Sequence, residues 1–546
     1  MHCTKCGAEL AHDSKFCVSC GAPVASVAPV EVEAPVATAA PEKKEGFKID
    51  VNEVKEQLVA TLKPVTDFLK PILAKKSVKI GIIVALVVIL AASIVSVILT
   101  SGNGYVKMDQ YTVLEEVDGE IKIIVGKKVL KDTIESEGYD DYSSSLNGKV
   151  TAVLTEEDEL YVVNGTKLQK VAEDVLKYEM SVSGKVIAYL TEGEDYYTLS
   201  LYNVSGKKTT TVSDEVASYS IAISPDGKAV AFYEENDDEE KVLMLSTGKD
   251  PVKVTSSDAD LCGISNGGKY IYAICENDEG EEHMYSFNTK GDRTKLGAVS
   301  SSTVRFNDSH TQIMFFNEGK TYIATNGKEA VKASSNRLNL VYAPNAGSFY
   351  DSHGTTYPVS NMYDHVYTAS DNDVTSVWMI KKNADKNIKL VSKVSSVQLD
   401  ESAQYLYYIY DGDELRVIKI SDGEKATDKY TKLADDVDAF KVTSDRKLVY
   451  YVSDGSIYSV NGQKGGRSTT VCADGAEDWA MNGKDVLYYV MDGDLYATNN
   501  GKKGSKVLSD VDSLLSTRTG VVYASNDDTV YVSDGSKKPS KLMDIE

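Results

Sequence analysis

From about residue 140 onward the chain repeats itself, and the period limits what it can fold into. A small or turn residue, often Gly-Lys, leads into an apolar, tyrosine-rich strand, an acidic turn, a second strand and another turn. Clear copies start at Asn147-Gly148-Lys149, Ser183-Gly184-Lys185, Asp226-Gly227-Lys228, Gly267-Gly268-Lys269, Asp445-Arg446-Lys447 and Asn482-Gly483-Lys484. Adjacent copies lie 36 to 43 residues apart, and weaker ones fall near Asp308, Gly347, Ala403 and Gly520. The strands alternate, as in Lys447-Leu448-Val449-Tyr450-Tyr451-Val452 and Asp485-Val486-Leu487-Tyr488-Tyr489-Val490. A unit of about 40 residues with four short strands cannot cover both faces of its sheet until neighbours stack against it. The expectation is a mainly β chain whose residues 105–546 form a multi-bladed β-propeller; a solenoid or sandwich of similar hairpins is the alternative. About ten units can be counted, where rings usually hold about six to eight. Either some units are incomplete, or the ring is large, or there are two rings.

Residues Ser224-Pro225-Asp226-Gly227-Lys228-Ala229-Val230-Ala231-Phe232 resemble the Ser-Pro-Asp-Gly-Lys turn and following strand of the TolB-type and related β-propellers. The motif is complete once, and the other units keep only its Gly-Lys part. The resemblance therefore implies an architecture and no activity.

A second feature divides the chain. Ile80 to Thr100 is a run of 21 residues without a charge, long enough to cross a bilayer once as a helix. Lys63, Lys70, Lys75, Lys76 and Lys79 precede it, while Ser101 to Glu116 carry only Lys107 against Asp109, Glu115 and Glu116. Positive flanks remain cytoplasmic, so the expected topology is a single-pass cell-membrane protein with its N-terminus inside and its C-terminal domain outside. The start of the chain is polar, so the run is expected to serve as both export signal and anchor.

Composition follows this division. All 34 tyrosines lie after residue 104, and residues beyond 100 hold 48 basic against 72 acidic side chains, a net charge of −24. Such acidity argues against nucleic acid or anionic lipid as the partner of the outer part. Cys262, Cys275 and Cys472 are scattered and imply no disulfide framework there.

The other four cysteines open the chain as Cys3-Thr4-Lys5-Cys6-Gly7 and, ten residues on, Cys17-Val18-Ser19-Cys20-Gly21. Two residues between paired cysteines let a tight turn aim both thiolates at one point, and the following glycine permits the positive φ that completes the turn. Two such turns make a closed set of four sulfurs, Cys3, Cys6, Cys17 and Cys20, around one structural zinc ion. With its Lys15-Phe16-Cys17 lead-in, the stretch resembles the short N-terminal zinc ribbon of many bacterial single-pass membrane proteins, over residues 1–22. Lys5 and Lys15 are offset by Glu9 and Asp13, which points to a protein partner, or self-association, and not to nucleic acid.

Residues 23–46 are rich in Ala, Val, Pro and Glu and read as a disordered tether. Over 47–76, Val54, Leu58, Leu62, Val65, Leu69 and Ile72 share one helical face, interrupted by Pro64 and Pro71. This amphipathic juxtamembrane helix either lies on the inner leaflet, pairs with its copy, or only spaces the ribbon from the membrane.

Catalytic motifs are weak. Gly263-Ile264-Ser265-Asn266-Gly267 matches the nucleophile-elbow pattern, but it runs into a further strand and not a helix. Gly319-Lys320-Thr321 lacks the earlier glycine of a phosphate loop, Met314 standing there. His283, His310, His353 and His365 are not spaced to converge on an axis and read as surface residues. Asp411-Gly412-Asp413 and Asp492-Gly493-Asp494 lack the closing glutamate of a calcium loop. The repeat itself breaks between Gly347 and Ala403, where the spacing grows to 56 residues around Tyr350, Asp351, His353, Tyr357, Tyr363, Asp364, His365 and Tyr367. Aromatic groups beside carboxylates suit sugar or peptide contacts, so Tyr350, His353, Tyr357, Tyr363, Asp364 and His365 are the expected border of a ligand site. The functional expectation is a non-enzymatic envelope protein whose propeller binds an envelope protein or glycan and whose ribbon binds a cytoplasmic partner. The alternative is a propeller enzyme acting on cell-envelope glycan or peptide.

Overall fold

The computed structural model describes residues 104–544, apart from 237–238, 256–258, 278, 351–353, 383–386, 474, 518, 527 and 534–537. The zinc ribbon, linker, juxtamembrane helix and apolar run expected from the sequence lie outside the described residues, as does His353. Among the described residues no helix is long and apolar enough to cross a membrane. All the described strands belong to one structural unit.

The strands assemble in chain order into short antiparallel meanders. Ten sheets are formed, of which one has eight strands and divides at the single bridge Val216↔Glu234 into two four-stranded meanders. Ten sheets, one of them double, make eleven units: unit 1 (112–135), unit 2 (139–172), unit 3 (175–216), unit 4 (222–255), unit 5 (260–298), unit 6 (304–334), unit 7 (338–392), unit 8 (394–434), unit 9 (439–472), unit 10 (476–508) and unit 11 (513–544). Unit 1 fell outside the Gly-Lys period because its Gly126-Lys127 follows the second strand, while the turn between its first and second strands is Asp118-Gly119. Its strands Thr112–Val117 and Glu120–Val125 pair along their full length, but the place of a third is shared by the fragments Lys128–Val129 and Ile134–Glu135.

Burial grades across each unit. The second strand is covered on both sides, as in Val150–Thr155, whose six residues are all buried. The last strand faces water, as in Lys208–Val216, where only Val216 is buried. That gradient explains why second strands read as nearly continuous apolar runs and last strands as Lys- and Thr-rich ones. Consecutive units share apolar clusters: Ile121 and Ile123 of unit 1 meet Val153 and Val163 of unit 2, and the same holds onward to units 10 and 11. Val117 and Ile124 of unit 1 pack in turn against Tyr523, Val530 and Val532 of unit 11, and the Tyr523 hydroxyl donates to the Gly126 carbonyl. Tyrosine suits this stacking because its ring fills the space between sheets while its hydroxyl satisfies a backbone acceptor. Tyr407 Oη donates to Gly462 O at 3.0 Å.

Candidate functional site

The feature that recurs around the molecule is the turn between the first and second strands of a unit. It opens with a buried polar residue: Ser145, Ser181, Ser224, Ser265, Asn307, Asp400, Thr443, Asn482 or Thr517, none more than 6% exposed. In each, the residue three places on donates its N–H to the opening residue's carbonyl. The opening side chain accepts the N–H at the start of the second strand, as Ala229 N to Ser224 Oγ at 3.0 Å, Gln312 N to Asn307 Oδ1 at 2.8 Å and Tyr405 N to Asp400 Oδ1 at 2.7 Å. The residue three places on has positive φ in every turn. It is glycine in five of them, at 148, 184, 227, 268 and 520, and His310, Ala403, Arg446 and Asp485 in the others. This left-handed position is what glycine relieves. In unit 10 it is Asp485 and not Gly483; Gly483 instead lets the turn approach unit 11, its N–H donating to Gly520 O at 2.7 Å.

These turns also bond to one another. Leu146 N donates to Val182 O at 3.0 Å, Ser183 N to Pro225 O at 3.0 Å and Asn266 N to Ser309 O at 3.2 Å. Ser265 belongs to this scheme: it is 1% exposed and its Oγ accepts the Tyr270 N–H at 2.9 Å. That structural duty explains the elbow-like pattern.

The 341–365 segment takes the place of this turn in unit 7, and it is not a loop on the rim. Its strand Gly354–Thr356 runs parallel to Val304–Phe306 of unit 6 and antiparallel to Phe349–Tyr350. Tyr357, Tyr363 and His365 are 2%, 7% and 9% exposed. Of the residues expected at a ligand border, these three are packed inside, Tyr350 lies in the strand Phe349–Tyr350, and Asp364 is exposed and ion-paired with Lys381 Nζ at 2.6 Å. Aromatic surface drove the segment inward because burying it outweighs the entropy of ordering the chain.

His283, His310 and His365 are likewise not surface residues. His283 Nδ1 meets Glu281 O at 3.1 Å, and His310 bridges Ile264 O and Thr356 Oγ1, both at 3.1 Å. His310 stacks on Phe306, and burial pulls its imidazole down to about 3. His365 packs edge-on against Tyr105, and burial pulls it down to about 4, with Asp364 opposing. A backbone acceptor within reach lets a neutral imidazole be buried without loss. Cys262, Cys275 and Cys472 are buried thiols.

A narrow cavity beside Phe349 is lined by Glu179, Met180, Ile223, Cys262 and His310, from units 3 to 6. Two residues before the turn opening, the first strands of units 3, 6, 8 and 9 place Glu179, Arg305, Gln398 and Lys441. The sequence carries this signal once the buried polar residue, and not the Gly-Lys pair, is used to align the units. Lys441 lies over Trp479 with Nζ 4.8 Å from the ring centre, and burial pulls its ammonium down to about 8 despite Asp478. On the turns themselves burial raises Asp308 to about 6. It also raises Glu401, which Lys107 counters and Asp485 reinforces, and Asp485, which Ser444 counters. No group of three or more His, Cys, Asp or Glu able to hold a metal exists among the described residues.

A family model described as a zinc-ribbon domain matches residues 2–24, so the chain begins with such a domain. The match covers Cys3, Cys6, Cys17 and Cys20, and four thiolates are the donor set zinc takes in a structural site. No curated protein matches the chain. Among solved structures, a eukaryotic initiation factor is similar at 10% identity and TM-score 0.36, over 66% of this chain and 96% of that one. The tricorn protease is similar at 12% identity and TM-score 0.23, over 70% of this chain and 46% of its own. TolB from Acinetobacter baumannii is similar at 11% identity and TM-score 0.25, over 50% and 77%. At scores of this size the fold rests on the strand pairing itself.

Proposed function

We propose that the chain is a single-pass membrane protein whose eleven units are the blades of an extracytoplasmic β-propeller, joined where unit 11 meets unit 1, and whose zinc ribbon lies in the cytoplasm. One observation carries the reading: the 21-residue apolar run 80–100 separates the ribbon at 2–24 from the β array, and its lysine-rich flank is on the ribbon's side. The array binds an envelope protein or glycan, and the ribbon, holding one zinc ion through Cys3, Cys6, Cys17 and Cys20, binds a protein partner. Binding is favoured over chemistry because the cavity among units 3 to 6 is lined largely by packing groups such as Met180, Ile223 and Phe349. Protease added to intact cells is expected to digest the tyrosine-rich part and spare the first hundred residues; the opposite pattern refutes the topology. Separate capture experiments with the ribbon side and the outer side then identify the partners.

A second reading, a hydrolase acting on envelope glycan or peptide, is favoured by Glu401 and Asp485. Burial holds both carboxyls above their ordinary range, with Asp485 adding to the rise of Glu401 and Asp445 to that of Asp485, which suits a general acid. Loss of glycan or peptide hydrolysis on Glu401→Gln, with folding retained, would establish it.

A further inference from the structure

The chain contains seven arginines against 52 lysines, and two of the seven meet between units 6 and 7. Arg305 lies in the middle of the strand Val304–Phe306, whose neighbours Val304 and Phe306 point toward unit 5. Arg305 therefore faces unit 7, because successive side chains of a strand take opposite faces. Its guanidinium carbon is 5.3 Å from the ring centre of Phe316 and 5.9 Å from that of Tyr357. Arg337, just before the strand Leu338–Leu340, brings its guanidinium carbon to 4.3 Å from the same Phe316 ring. Arg337 is exposed and Arg305 partly so, yet Arg305 Nη1 is enclosed and has no hydrogen-bond partner among the described residues.

No hydrogen bond or ion pair to a described residue engages either guanidinium. Arg416 shows the contrast: it also stacks on tyrosines, but it meets Glu414 Oε1 at 2.5 Å. Two like charges gathered beside apolar rings repel one another more strongly than in water, and burial together with Arg305 pulls Arg337 below the ordinary range of arginine. Aromatic faces return part of that cost. An enclosed, unbonded N–H of a charged group costs more than they supply. Other cations of this acidic chain are neutralised by local carboxylates, as Lys170 is by Glu159 and Glu173, although Arg293 and Arg446 also stack on rings.

The geometry points to an oxyanion site where units 6 and 7 meet, at which Arg305 and Arg337 take a carboxylate or phosphate group of a ligand against Phe316. Arginine's planar fork is suited to these groups where lysine's point charge is not. The site does not depend on which side of a membrane the array occupies.

The test uses the purified full-length chain, titrated calorimetrically with inorganic phosphate and, separately, with acetate, at constant ionic strength set by chloride. Saturable binding of one anion is expected, and which one binds tells phosphate ligands from carboxylate ligands. Arg337→Gln, at an exposed position, should weaken that binding at least about tenfold, the equivalent of one lost charge-assisted hydrogen bond. Arg337→Lys should recover only part of it. Binding of neither anion, or equal binding by wild type and Arg337→Gln, overturns the assignment. Should Arg305→Gln fold poorly, the Arg337 variants alone decide.

Discussion

Replacing Ser224 by alanine should measure what the recurring turn contributes. Ser224 is fully buried, and its Oγ accepts the N–H groups of Lys228 and Ala229, both at 3.0 Å, while donating to Asp226 Oδ1 at 2.9 Å. Lys228 N keeps a second acceptor in Asp226 Oδ1 at 3.3 Å, whereas the buried Ala229 N loses its bond to Ser224. A buried donor without a partner costs about 1–3 kcal/mol, and loss of the equivalent cap at a helix start costs about 1–2 kcal/mol. Ser224→Ala should therefore destabilise by about 2 kcal/mol, read as a lower urea midpoint with an unchanged slope. Ser181→Ala and Ser265→Ala should fall in the same range, because Val186 N and Tyr270 N depend on those hydroxyls at 3.1 and 2.9 Å. Lys228→Ala, which removes only an exposed ion pair, should stay within about 0.5 kcal/mol. A Ser224→Ala change no larger than that of Lys228→Ala would refute the reasoning.

Asp308→Asn should stabilise the protein at pH 7.5 by about 1–2 kcal/mol: burial raises this carboxyl to about 6, so stability is lost as pH rises from the unfolded value near 4 through 6 and is regained as pH falls back through that window. The advantage should vanish in urea titrations at pH 4, and one that persists there refutes the assignment. His310 acts with the opposite sign, since its imidazole is held near 3 in the fold; below about pH 6.5 only the unfolded chain takes up the proton, and stability should fall by about 1.4 kcal/mol per pH unit. That slope should appear in the difference between wild type and His310→Gln measured from pH 6 to 4.5, and a flat difference refutes the assignment. Tyr105→Phe removes a buried hydrogen bond to Val341 O at 2.6 Å and should cost about 1 kcal/mol, read as faster hydrogen exchange at Val106 and Met108; unchanged exchange at both would sink the assignment.

Sheet stacking was legible in the sequence because the second strands, such as Tyr405–Tyr410 and Leu487–Met491, carry apolar runs that need cover on both faces. The turn was only half legible. Gly-Lys marks the left-handed residue and its successor, but the determinant is a buried Ser, Thr, Asn or Asp three residues earlier, and four residue types in one role leave no single-letter period. Reliance on Gly-Lys misplaced the turn of unit 10 at Gly483 and passed over unit 1, where Gly126-Lys127 follows the second strand. The burial of His283, His310 and His365 and of the 341–365 aromatics was not legible for a related reason. Several of their partners lie far along the chain, as Ile264 O does for His310, and no local pattern announces such contacts. Arg305 and Arg337 are unremarkable in sequence, and only the stacking of unit 6 on unit 7 brings them to one ring.

The two breaks in the repeat are physically one feature. Unit 1 is entered through residues 105–110, which do not pair with its strand Thr112–Val117. They pair with the 341–365 segment instead: Tyr105 bridges Val359, Lys107 bridges Ala346, Met108 N donates to Asn345 O at 2.8 Å and Gly347 N to Val106 O at 2.8 Å. The same stretch joins the belt of turns, since Asp109 N donates to Asn147 O at 2.8 Å. Unit 7 lacks the ordinary turn because that span has been lengthened to receive the incoming chain. Its aromatic residues are explained the same way, as Tyr105 packs on His365 and Tyr357 on Tyr367. A chain entering beside an edge strand would add one more exposed ladder, a pairing hazard. Pairing with the 341–365 segment leaves no such ladder and ties residues 105–110 to units 2 and 7 together.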